Sequence, residues 1–166
     1  MSAYQLAQLN IGIIKGPMDS PIMADFKANL DRINALAEAT PGFVWRLQTE
    51  EGDATAIRHF EDENLLVNMS VWRDVASLNH YVYHTDHVSI MRRRREWFER
   101  MSEAIMVLWW VPAGHEPTVP EAIQRLELLR AQGPSAQAFT FRHAYPAPDA
   151  AQAEAAEEFN GECPAA

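Results

Sequence analysis

Cysteine is nearly missing from this chain of 166 residues. The single Cys163, in a polar stretch near the end, can form neither an internal disulfide nor a CxxC metal site. With no base held beside it, it is not an activated nucleophile either. Long apolar runs are also lacking. The longest, residues 104–113, is about half of the ~20 residues that cross a bilayer. The N-terminus lacks the basic-then-apolar order of a signal peptide, so the expected location is cytoplasmic, with no membrane partner. Only 7 glycines occur, and none build a phosphate-cradling loop. A GxSxG elbow, an HExxH pair and paired metal carboxylates are all missing, which argues against the common nucleotide-binding, serine-hydrolase and zinc-protease classes. Bases are in deficit, 14 against 23 acids for a net charge of −9, which opposes nucleic acid as a partner.

What is present is apolar content of 48%, enough for one core. Residues 4–14 read as a strand that Gly16-Pro17 ends. Ser20-Pro21 then opens a helix in which Ile22, Phe26, Leu30, Ile33 and Leu36 recur every three or four residues, until Thr40-Pro41-Gly42 stops it. Strands are expected at 43–48 and 65–73, separated by an acidic loop with a short extension near 56–60. Asp74 caps a second helix that kinks or restarts at Thr85-Asp86 and runs to Met101. Residues 104–111 form the most apolar strand, and Thr118-Val119-Pro120-Glu121 is a capping box for a helix to Gln132. A last strand is expected over 136–145.

The order is β-α-β-β-α-β plus one C-terminal α-β unit, an α+β, ferredoxin-like split βαβ antiparallel sheet with helices on one face. The domain covers 1–146. An acidic Ala/Glu/Pro segment, 147–166, reads as a flexible tail. Helices on one face leave the other bare, so a homodimer burying that face is expected.

Chemistry concentrates on the strand at 65–73. Alternation puts Leu66, Asn68, Ser70 and Trp72 on one face and Leu65, Val67, Met69 and Val71 on the other. A half-polar face turned toward helices points to a cavity, the alternative being an Asn68 that bonds neighbouring backbone and a Trp72 that packs. Further along, His80, His84 and His87 would share an arc of about 60° on a continuous helix, a possible metal or haem face. If Thr85 starts a new helix they diverge, leaving His87 beside the pocket. In Arg92-Arg93-Arg94-Arg95 the four side chains point in four directions. Arg92 with Glu96 and Arg95 with Glu99 are expected as solvated pairs, leaving Arg93 or Arg94 for an anionic ligand group. Trp97, Phe98 and one of Trp109 and Trp110 supply aromatic wall; the other tryptophan belongs to an interface between sheets.

The strings Asn68-Met69-Ser70-Val71-Trp72, then Tyr83-x3-His87-x3-Met91-Arg92-Arg93-Arg94-Arg95-Glu96-Trp97-Phe98, then Trp109-Trp110-Val111-Pro112-Ala113-Gly114-His115 resemble the DUF3291 family. That family is in turn similar to the antibiotic-biosynthesis-monooxygenase group of dimeric α+β barrels. The resemblance implies this fold and a pocket between sheet and helices. Members that oxidise phenolic polyketides without flavin or metal use an Asn and a Trp four residues apart on a strand, a spacing that Asn68 and Trp72 match.

Three functions follow as expectations. The first is a cofactor-independent enzyme, monooxygenase- or isomerase/cyclase-like, acting on a small, apolar, aromatic or polyketide-like molecule. In it Asn68 is the oxyanion donor, Trp72 a positioning wall, His87 the acid/base and Arg94 a charge partner, with Ser70, Tyr83, Trp97 and Trp110 binding substrate. The second is haem or metal binding through His84 or His87. The third is a non-catalytic small-molecule-binding module using the same cavity.

Overall fold

Four stretches rich in alternating or continuous apolar residues form the sheet in a computed structural model that describes residues 2–48 and 64–150. They are β1 (Tyr4–Ile13), β2 (Phe43–Arg46), β3 (Leu65–Trp72) and β4 (Met106–Pro112). The order is β2-β3-β1-β4 with every neighbouring pair antiparallel, as a ferredoxin-like split βαβ unit requires. The β1–β3 register sets Leu6 opposite Trp72, Gln8 opposite Ser70 and Asn10 opposite Asn68. Entry to β2 runs through Gly42 at φ +92, where a Cβ would lie 2.2 Å from Ser77 Oγ; only glycine fits there.

The connections are α1 (Ala24–Ala39), α2 (Val75–His84), α3 (His87–Arg92), α4 (Arg94–Trp97) and α5 (Val119–Gln132). Ser20 does not cap α1 as expected. Its hydroxyl donates to the Pro17 carbonyl, and a short 3-10 turn, Pro21–Met23, precedes the helix. Asp74 does cap α2, accepting from Ser77 N at 2.8 Å, and Thr118 caps α5, accepting from Glu121 N at 3.3 Å.

Ala37 of α1 and Leu78 and Tyr81 of α2 pack on the sheet face that carries Leu6, Trp72 and Leu108. The opposite face, with Ala7, Leu9, Val67, Met69, Val107 and Trp109, is buried as well. Val119, Ala122, Leu126 and Leu129 of α5 share its core. The bare second face, the premise for pairing two chains, is therefore not bare: the added C-terminal unit folds back across β4 and β1. Trp109 lies beneath that helix in the chain's own core rather than between two sheets.

Three segments depart from their expected form. The strand at 136–145 reduces to two isolated bridges, Phe139 to Leu108 and Ala138 to Ser135, and its aromatics are placed for packing: Phe139 against Trp110 and Tyr145, Phe141 against Tyr83. The helix expected to reach Met101 breaks at Arg93, whose N–H is drawn to Ile90 O at 3.1 Å and whose φ and ψ are −93 and 3. By Phe98 the chain is extended and bridged to Ile14. Near the end, the carboxylate of Asp149 accepts from Ser2 Oγ and Ala3 N, both at 2.8 Å, tying this part of the expected tail to the start of β1. Those donors hold its carboxyl below the usual range. The extension near 56–60 and the tail past Ala150 lie outside the described residues. No helix among the described residues is long and apolar enough to cross a membrane.

Candidate functional site

Strand alternation and the β1–β3 register together build a cavity of about 410 Å³ between the sheet and helices α1 to α4. Its floor is Gln8, Asn10 and Gly12 from β1 beside Leu66, Asn68, Ser70 and Trp72 from β3. Its walls are mostly apolar: Phe26, Leu30 and Ile33 from α1, Val82 from α2, Ile90 from α3 and Phe98. Of the side chains singled out from the sequence, Asn68, Ser70, Trp72, Tyr83, His87, Arg94 and Trp97 all line it. Trp110 does not. It shares the helix-covered face with Leu108, but its Nε1 donates to Tyr145 O at 2.9 Å and its ring lies against Phe139, outside the cavity.

The polar floor is a connected set. Gln8 Nε2 donates to Asn68 Oδ1 and to Ser70 Oγ, each at 2.8 Å, and Trp72 Nε1 donates to the same Ser70 Oγ at 2.9 Å. Ser70 thus accepts twice and keeps its own proton to donate. Asn68, engaged through its oxygen, keeps both Nδ2 hydrogens and is exposed to the cavity. The Trp72 indole N–H is spent on Ser70. Trp72 is fully buried, with its ring stacked on Tyr81 at 5.0 Å, and its N–H fixes Ser70. Gln8 is the residue that sequence reading missed. The signal lay in β1 itself, where Gln8 and Asn10 alternate onto one face, yet only the register shows that they meet Ser70 and Asn68.

His87 stands on the helical side. Thr85 leaves the α2 conformation at φ −121 and ψ −178, and its Oγ1 accepts from His87 N at 3.3 Å, so α3 restarts in a new direction. His80 and His84 stay on α2 with rings stacked at 5.9 Å, while His87 turns to Tyr81 at 4.7 Å. The three do not converge, and among the described residues no group of three or more His, Cys, Asp or Glu is placed to hold a metal. His87 Nδ1 lies 3.2 Å from Val82 O. A carbonyl only accepts, so Nδ1 carries the proton and Nε2 keeps a free lone pair. Burial holds the imidazole below its usual pKa, outweighing the Val82 bond, which acts upward. The ring is therefore neutral at pH 7. Tyr81, also buried, is pushed up well beyond the ordinary phenol range; Arg46 acts weakly the other way. It stays protonated, with its hydroxyl donating to Ile33 O at 3.3 Å.

Arginines divide at the break after α3. Arg93, not Arg92, takes Glu96, at 2.8 Å, and also Asp25, at 2.7 Å, because the turn at Arg93 destroys the i to i+4 geometry. Its guanidinium covers the Trp97 ring at 4.7 Å. Arg94 is the inward one. It lines the cavity, donates from Nη2 to Ile11 O at 3.1 Å and lies 4.7 Å over Phe98. Desolvation lowers its pKa from the normal arginine value.

Comparison with known proteins gives the following. A family model described as a domain of unknown function, DUF3291, matches residues 5–156. Among solved structures the chain is similar to SnoaB, a cofactor-independent oxygenase from Streptomyces nogalater, at 19% identity over 72% of this chain and 100% of that one, with a TM-score of 0.46. It is similar to PA3566 from Pseudomonas aeruginosa at 16% identity over 69% and 98% of the two chains, TM-score 0.45. A dabb family protein with a ferredoxin-like fold from Mesorhizobium loti matches at 18% identity over 66% and 99%, TM-score 0.42. No curated protein matches. The strings around Asn68, around His87 and Arg94, and at Trp109-Trp110 all lie inside the matched span, and the chain belongs to the DUF3291 family.

Proposed function

We propose that the protein is a cofactor-independent enzyme that removes a proton from a small, mostly apolar, aromatic molecule and holds the resulting enolate or phenolate in the cavity. One observation carries this reading. A neutral imidazole with a free Nε2 lines the same apolar cavity as two polar floor groups that still have hydrogens to give, Asn68 Nδ2 and the Ser70 hydroxyl. Nε2 accepts the proton; the amide and hydroxyl donate to the oxygen on which negative charge develops. Trp72 and Gln8 fix Ser70 and Asn68 beforehand, so little reorganisation accompanies charge formation.

From the held anion, reprotonation at another carbon is an isomerisation and attack on an internal carbonyl a cyclisation. With dioxygen as the oxidant, a phenol C–H becomes a quinone carbonyl: one oxygen atom enters the ring, the other leaves as water, and the substrate supplies all the electrons. The cavity volume of about 410 Å³ lies in the range of ~300–1,000 Å³ usual for small-molecule sites. Metal ligation by His84 and His87 together is disfavoured by the geometry, since the break at Thr85 separates them and, among the described residues, no group of three or more His, Cys, Asp or Glu is placed to hold an ion; haem ligation by His84 or His87 alone is the alternative reading.

The test is hydrogen–deuterium exchange at the acidic C–H of 2-tetralone, followed by NMR in D2O. The protein should accelerate exchange well above free imidazole. His87→Ala should lose roughly 100-fold and Asn68→Leu roughly tenfold or more. Because burial depresses the His87 pKa, the base stays neutral as pH falls past its usual 6.5; the rate should drop only below that value, and this drop should vanish in His87→Ala. Binding of 2-tetralone without accelerated exchange would instead favour a non-catalytic binding module.

A further inference from the structure

A second pocket of about 430 Å³ opens beside the cavity and shares three of its lining residues, Arg94, Phe98 and Ile105. Its other walls bring Lys15, Arg95 and Arg100 together, against one acid, Glu99. In a chain with 14 bases, 23 acids and a net charge of −9, four cations around one cleft with a single carboxylate run against the overall balance. The geometry there is fixed by backbone pairing. Lys15 N donates to Trp97 O and Glu99 N to Ile13 O, both at 2.8 Å, and the Lys15 ammonium is bonded to Arg95 O.

The neutralisation of these cations is uneven. Arg93 is held by Asp25 and Glu96, but among the described residues no carboxylate lies within ion-pairing distance of Arg94, Arg95 or Arg100. Arg94 is also immobilised, by Ile11 O, by the face of Phe98 and by the close approach that Gly12 allows, where a Cβ would stand 3.1 Å from Nη2. A planar guanidinium fixed on the wall between an apolar cavity and a cationic cleft matches a carboxylate better than a diffuse polyanion.

We infer that the ligand of this site is an amphiphile: an apolar ring body seated in the cavity and a single carboxylate-type anionic group docked in the adjoining cleft of Lys15, Arg94, Arg95 and Arg100. This inference rests on the cavity reading above and adds a specificity determinant to it. Arg95 and Arg100 are exposed, so their removal leaves the core intact. They set preference among ligands and take no part in proton transfer.

The test uses two probes that differ only in the head group, 4-(1-naphthyl)butyrate and 4-(1-naphthyl)butanol, titrated against the full chain by naphthalene fluorescence. Both should bind and displace one another, with the butyrate tighter by about fivefold at low salt. That preference should fall clearly in the Arg95→Gln/Arg100→Gln double variant, in which Lys15 and Arg94 remain, while the butanol affinity stays unchanged. Equal affinity of the two probes for the wild-type chain would overturn the anionic inference and leave the cavity reading standing. An undiminished preference in the double variant would overturn the assignment of the cleft. Failure of both probes to bind would remove the cavity reading, and this inference with it.

Discussion

One hydroxyl, that of Ser70, accepts from Gln8 Nε2 and from Trp72 Nε1, and both donors are buried. Among the described residues, Ser70→Ala removes the one acceptor of the indole N–H and one of two acceptors of the amide. Leaving a buried donor unsatisfied costs about 1–3 kcal/mol, so the variant should unfold at clearly lower urea, with Ser70→Thr, which keeps the hydroxyl, recovering most of the loss. A midpoint identical to wild type would mean that these bonds do not hold the floor. Residue chemistry was partly legible beforehand. Period-two alternation was enough to set Asn68, Ser70 and Trp72 on one face, and the Arg run had to turn one member inward. The use of the Trp72 N–H was not legible, because it depends on a rotamer and a neighbour, and neither was Gln8, whose partners lie 60 and 62 residues away.

At the scale of elements, the decisive contact is between β1 and the stretch that follows α4. Gly12 has no side chain, and Phe98 and Arg94 occupy the space: a Cβ there would lie 2.4 Å from Phe98 Cδ1. Gly12→Ala should therefore cost about 1–3 kcal/mol despite the better strand propensity of alanine, and should shift the resonances of Phe26, whose ring meets Phe98 edge-on at 5.2 Å. Unchanged stability would show that the ring moves aside freely. Long periodic elements, β1, α1, β3, β4 and α5, were readable because their burial pattern repeats. The divided second helix was readable only as far as Thr85. The second break, at Arg93, has no glycine or proline to announce it. It follows from pairing of residues 97–99 with the end of β1, a tertiary cause. The 136–145 stretch misled for the opposite reason, since aromatics placed for packing imitate the alternation of a strand.

For the molecule as a whole, the sheet separates two jobs. The face under α5 is a closed apolar core, and the face under α1 to α4 holds the cavity, with polar atoms on its floor and His87 across from them. Covering the second face from within one chain also removes the bare surface that sequence reasoning required a second copy to bury. That outcome was not accessible from element order alone, because nothing in the order says on which side a fifth helix lies. The division supports one claim above all, that the cavity stabilises an anion of a small aromatic acid. It is tested most directly by titrating 2-naphthol bound to the protein and following the naphtholate absorbance. The bound phenol should ionise at least about one pH unit below the free one, and Asn68→Leu, which removes a donor to the anion, should restore the free value. A bound naphthol that ionises at the same pH as in water, or higher, would contradict it.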